Sequence, residues 1–149
     1  FVPELMIIGA VKSSTTSLCT ELRRSPALLW PNVGVKDPRH HYVGGWKEGH
    51  FFDWHVDEGP KFMTESYPAC QRTARAIGVD GTARYSVDTQ VPQTIARWYG
   101  EPRRHLKFVF LMREPTLRTH SHYYHSVSDG WCDMHQKMEF WQIVDHFFL

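Results

Sequence analysis

The sequence predicts an α/β domain with a central parallel sheet and helices on its faces. Three observations predict it. Leu5-Met6-Ile7-Ile8 and Leu106-Lys107-Phe108-Val109-Phe110-Leu111-Met112 are compact apolar runs of strand length. Each is followed directly by a segment with helical spacing, and strands alternating with helices favour parallel pairing. The most polar motifs follow these strands, where ligands of such sheets bind.

The elements read in order as β-α-loop-α-β-α-β-α-α. Gly9 ends the first strand, and Ser13 to Thr16 supply helix-capping side chains. Leu18 and Leu22 give the first helix one apolar side, and Pro26 closes it. Residues 30–60 are rich in Pro, Gly, His and Trp without a clean period, which predicts a long functional loop. A short helix is expected around Lys61 to Ser66 and a short strand at Ile77-Gly78-Val79-Asp80. Pro92 suits a helix start, with Ile95, Trp98 and Tyr99 as its apolar side. After the second strong strand, Pro115 opens a helix through about Ser128, and an amphipathic segment runs from Met138 to the end.

A chain of 149 residues suffices for one domain, taken as 1–149. Its 42% hydrophobic content, with nine Phe, six Trp and six Tyr, argues against disorder. A net charge of +1 argues against a nucleic-acid partner. Cys19, Cys70 and Cys132 are too few and too scattered for a disulfide scaffold. No apolar run reaches the ~18 residues of a membrane span. The abrupt start and the apolar Phe147-Phe148-Leu149 read as the ends of a piece of a longer protein.

The first motif is Gly9-Ala10-Val11-Lys12-Ser13-Ser14-Thr15-Thr16-Ser17-Leu18. A strand feeds a loop that opens a helix, so unpaired N–H groups and the helix dipole favour an anion there. Lys12 adds a point charge, and the hydroxyls of Ser13, Ser14, Thr15, Thr16 and Ser17 add donors. The spacing is not Gly-x-x-x-x-Gly-Lys-Ser/Thr, which disfavours an ATP or GTP hydrolase. The second motif is Arg113-Glu114-Pro115-Thr116-Leu117-Arg118-Thr119-His120-Ser121 at the end of the second strong strand. An arginine there can fork onto a phosphate, with Ser121 completing the shell. Taken singly, each motif also reads as ordinary structure: a capped helix with a solvated lysine, and a structural ion pair.

Together the two resemble the sulfotransferase superfamily. Its first signature resembles Gly-x-x-Lys-Ser-Gly-Thr-Thr-x-Leu, matched by Gly9, Lys12, Ser13, Thr15, Thr16 and Leu18. Its second leads into Arg-Asp-Pro-x-x-Arg-x-x-Ser-x-Tyr, matched by Arg113, Pro115, Arg118, Ser121 and Tyr123. Ser14 replaces a Gly and Glu114 an Asp; Ser14 demands either a loop without a positive φ or some strain. Lys47-Glu48-Gly49-His50-Phe51-Phe52-Asp53 resembles the Lys-Glu-x-His-Phe-Phe segment of the branch that sulfates glycans such as heparan sulfate.

The resemblance implies a P-loop-like three-layer fold with a central parallel sheet, cut short at the C-terminus. It implies transfer of a sulfuryl group from 3′-phosphoadenosine 5′-phosphosulfate to a hydroxyl or amine acceptor, with a glycan expected. Lys12 and residues 13–17 would hold the 5′-phosphosulfate end, Arg113 and Ser121 the 3′-phosphate. Glu48 would be the catalytic base, with Lys12 and His50 beside the reaction, and no metal is required. Lys36-Asp37-Pro38-Arg39-His40-His41-Tyr42 is a rival register for the third motif, with Asp37 as the acid. Gly81 stands where relatives often carry a lysine, and Arg84 is the nearest replacement charge. His122, His125, Cys132 and His135 form a zinc-competent alternative. A non-enzymatic alternative also stands, a binding or assembly module using exposed aromatics against a protein partner. The resemblance leans toward the Golgi lumen, and toward the cytoplasm if the glycan branch is the wrong one.

Overall fold

The computed structural model describes residues 2–32, 46–68, 76–101, 105–128, 139–142 and 144. The strands β1 (Pro3–Gly9), β2 (Leu28–Leu29), β3 (Ile77–Asp80) and β4 (Lys107–Phe110) form a sheet ordered β2-β3-β1-β4, parallel throughout. The protein is therefore α/β with an all-parallel central sheet. Its α-helices include α1 (Thr15–Leu22), α2 (Gly59–Ser66), α3 (Val91–Tyr99) and α4 (Pro115–Ser128).

β1 runs through the middle, and successive side chains of a strand point to opposite faces. Met6 packs with Phe51, Phe52, Phe62, Met63 and Ile95, so α2 and α3 cover one face. Ile7 packs with Cys19, Trp30 and Val79, with Leu18 and Leu22 against them, so α1 covers the other. Right-handed crossovers produce this division, because the chain leaves β1 toward β2 and leaves β3 in the opposite direction. The chain thus leaves the neighbours β1 and β3 toward opposite faces of the sheet, the arrangement that opens a crevice at their carboxyl ends. β4 borders β1 on the far side, and Phe108 and Phe110 are 50% and 51% exposed.

Pro92 lies in the first turn of α3, as expected, and Gly100 ends the helix with φ 56°. Glu114 opens α4: its carboxylate accepts from the Thr116 N–H at 2.9 Å and the Leu117 N–H at 2.6 Å. Those bonds, helped by Arg113, hold its carboxyl below the usual range.

The aperiodic stretch is more ordered than a loop. Phe51–His55 is a π-helical turn, Val56–Glu58 a 3-10 turn, and α2 begins at Gly59. Aromatic packing organises it: Phe51 meets Phe62 and Trp98, with ring centres 5.5 and 4.7 Å apart. β2 was not expected from sequence. The rival acid Asp37, His40-His41, Cys70, Cys132 and His135 lie outside the described residues, as does most of the segment from Met138 onward. Among the described residues, no helix is long and apolar enough to cross a membrane.

Candidate functional site

A cleft of about 870 Å³ opens at the carboxyl ends of β1, β3 and β4. All three sequence motifs line it. The loop after β1 contributes Lys12, Ser14, Thr15 and Thr16, and the segment after β4 contributes Arg113, Arg118 and Ser121. Lys47, Glu48 and His50 form part of the remaining wall, with Arg84 from the turn after β3. Of the sequence candidates, Ser13 is buried with its hydroxyl unpartnered, and Ser17 is exposed on α1. Neither lines the cleft.

The loop after β1 is tight. Lys12 and Ser14 are left-handed, with φ 65° and 64°. Of the two options open to Ser14 at a glycine position, the loop takes the strained one, which costs about 1–2 kcal/mol for a residue with a Cβ. Gly9 is required by close approach, since Ser86 occupies the space a Cβ would need. Ser14 occupies the N-cap position of α1 yet makes no side-chain capping bond. The first-turn N–H groups of α1 therefore keep the orphan character that suits an anion. Arg113 Nη1 donates to the Lys12 carbonyl at 3.2 Å, tying the second motif to the first.

The opposite wall is a buried polar network centred on Asp80 at the end of β3. Asp80 is 0% exposed. Its Oδ1 accepts from the Gly49 N–H at 3.3 Å, the Thr82 N–H at 3.0 Å and the Thr82 hydroxyl at 2.6 Å. Its Oδ2 accepts from the Tyr85 hydroxyl at 2.8 Å. Burial pushes the Asp80 carboxyl up, against the opposing pull of those hydroxyls. The Thr82 hydroxyl also accepts from the His50 N–H at 3.1 Å, and the Tyr85 hydroxyl from the Phe52 N–H at 3.2 Å. Asp80 thus fixes the backbone that carries Glu48 and His50.

Lys47 Nζ is buried between the Glu48 carboxylate and the Gly81 carbonyl, the latter at 3.0 Å. A Cβ on Gly81 would lie 3.0 Å from the Lys47 carbonyl and 3.1 Å from Cys19 Sγ. A side chain at position 81 would therefore press on both, while Lys47 brings its amino group to that turn. His50 Nε2 lies 3.4 Å from Glu48 Oε2, an ion-pair separation longer than a good hydrogen bond. His50 Nδ1 lies 3.0 Å from Asp53 Oδ2, and Arg84 Nε stands 3.8 Å from that same oxygen. The His50 ring stacks on Trp54, centre to centre 3.7 Å.

Burial raises the Glu48 carboxyl, but His50 and Lys47 outweigh it and bring it to about 2. Burial lowers His50, but Asp53 and Glu48 outweigh it and bring it to about 9. At neutral pH the wall therefore holds a carboxylate beside an imidazolium, with Lys47 Nζ on the carboxylate's other side. Burial pushes the Cys19 thiol up to about 11, so it is no nucleophile for this cleft.

Asp53, Asp80, Thr82 and Tyr85 were not singled out from sequence as parts of the site. The spacing of His50 and Asp53 offered a signal for one of them, since residues three apart meet on a helical turn. His122 and His125, weighed in sequence only as zinc ligands, line the cleft from α4. Among the described residues, no cluster of His, Cys, Asp or Glu could hold a metal ion. No protein-family model and no curated protein matches the chain.

Proposed function

We propose that the chain is the cofactor-binding part of a sulfotransferase, with a P-loop-like nucleotide site that takes 3′-phosphoadenosine 5′-phosphosulfate. The observation that supports this best is the convergence of three motifs, distant in sequence, on one cleft of about 870 Å³. Lys12 and the uncapped first turn of α1 suit the 5′ end. Arg113 and Ser121 suit the 3′-phosphate, which a fork of N–H donors and a hydroxyl can hold. The bound cosubstrate supplies an activated sulfuryl group. Lys12 and the N–H groups meet the charge that grows on the leaving group. Glu48 takes the proton of a hydroxyl or amine acceptor, with a glycan the expected class.

A second reading, a nucleotide-binding module without turnover, draws on Glu48 itself. A carboxyl brought to about 2 by Lys47 and His50 is a weak base until an acceptor loosens those contacts. Calorimetry with adenosine 3′,5′-bisphosphate tests the shared part of both readings. Micromolar binding is expected, and absence of binding overturns both. Glu48→Gln separates them: it is expected to keep nucleotide affinity and to lose about 10²–10⁴ in sulfuryl transfer across a panel of glycan and small hydroxyl acceptors. A parent that binds the nucleotide but transfers to none of them favours the module.

A further inference from the structure

Four cleft residues, Arg118, Ser121, His122 and His125, come from one stripe of α4. Arg118 and His122 are four apart, as are Ser121 and His125, so the stripe is two adjacent ladders. Side chains so related stand roughly 5–6 Å apart, within the span of one phosphate group and its ligands. The third histidine of this part of α4, His120, lies off the stripe and packs on Tyr124 and Phe140, ring centres 4.7 and 5.0 Å apart. Of the three α4 histidines, the two aligned with Arg118 and Ser121 line the cleft.

We propose that His122 and His125 are ligand-binding residues, extending the anion edge of α4 by a turn and contacting the 3′-phosphate of the nucleotide. This rests on the nucleotide reading above. The arginines hold the anion at every pH, whereas an imidazole acts as a cation only when protonated. The charged groups that share the cleft with the two rings are Lys12, Arg113 and Arg118 and, across it, Lys47, His50, Arg84 and Glu48. A bound phosphate dianion favours the imidazolium forms. Ligand binding and proton uptake by the two rings therefore reinforce each other.

The sign follows. The contribution of the two rings to affinity is present in mild acid, where a phosphate-bound ring carries its proton, and fades as pH rises and the proton is lost. The ligand's own second phosphate ionisation, near ~6, works in the opposite direction but equally in every variant. The difference between parent and variant isolates the histidines.

The test is calorimetric titration of the parent, the His122→Asn/His125→Asn double variant and the His120→Asn control. The ligands are adenosine 3′,5′-bisphosphate and adenosine 5′-monophosphate, at pH 6.0 and 8.5. The double variant is expected to bind the bisphosphate about tenfold more weakly at pH 6.0 and within about twofold of the parent at pH 8.5. Its affinity for the monophosphate, which also reports an intact fold, is expected to match the parent, and His120→Asn to match it throughout. Undiminished bisphosphate affinity at pH 6.0, or equal losses for both nucleotides, overturns the assignment while leaving the nucleotide reading in place. A parent that binds neither nucleotide overturns both.

Discussion

The loop after β1 and the segment from Lys47 to Asp53 line one cleft but are held in different ways. The Lys47–Asp53 segment is tied from below: its backbone N–H groups donate to Asp80, Thr82 and Tyr85, all buried. Left-handed residues occur in both, at Lys12 and Ser14 in the β1 loop and at His50 in the other, but the α1 N-terminus that the β1 loop feeds has no side-chain cap. Donors that must meet a ligand cannot also be spent on the protein, whereas a carboxylate that must stay ionised in a buried place needs its surroundings fixed. The contrast teaches that one cleft can pair a wall satisfied in advance with a wall completed by its ligand.

The sharpest way to break the comparison is Asp80→Ala. It strands several buried donors at once, so a loss of about 3–5 kcal/mol or outright failure to fold is expected in urea denaturation. If the loss is below about 1 kcal/mol, the network does not hold that wall. Lys12→Ala probes the other wall. Stability is expected to move by less than about 0.5 kcal/mol, while bisphosphate affinity falls about tenfold or more. A stability loss comparable to that of Asp80→Ala would erase the distinction.

A pH titration sharpens it further. His50 is raised from 6.5 to about 9, so the stability it contributes is full below 6.5 and is lost as pH rises through about 9. Glu48 is lowered from 4.5 to about 2, so its contribution is full above 4.5 and is lost as pH falls through about 2. The wall is therefore firmest between these ordinary values, and the unfolding midpoint is expected to decline from pH 6.5 to 9. His50→Gln should flatten that decline, and an unchanged slope would put its cause elsewhere. The smallest effect concerns Ser14→Gly. It relieves the left-handed strain but frees the unfolded chain, for a net gain of about 0.5–1 kcal/mol in the free nucleotide-less protein. A net loss would mean the Ser14 hydroxyl matters more to the loop than its φ.

Sequence made the skeleton legible where local signals agree with tertiary ones. β1 contains the continuous apolar run Leu5-Met6-Ile7-Ile8, and α3 begins where Pro92 says it should. β2 escaped because two residues carry no period; Leu28 and Leu29 are a strand only because Ile77 and Gly78 lie beside them. The turns from Phe51 to Glu58 escaped because aromatic packing, not periodicity, shapes them. Within the site, the chemistry at the strand ends pointed to Lys12, Arg113 and Ser121 and the family resemblance to Glu48 and His50; all five line the cleft. Ser13 and Ser17, named beside them, do not line it: Ser13 is buried in the loop and Ser17 faces outward on α1. Sequence was silent on Asp80, whose link to Gly49 crosses 31 residues of sequence.

That link has a consequence for the tempo of the molecule. Surface loops usually trade their amide hydrogens with solvent quickly, through small local openings. The amides of Gly49, His50 and Phe52 instead donate to side chains buried behind the end of β3. In heavy water their protons are expected to leave as slowly as those of that strand end. By the clock of isotope exchange, these three residues belong to the sheet.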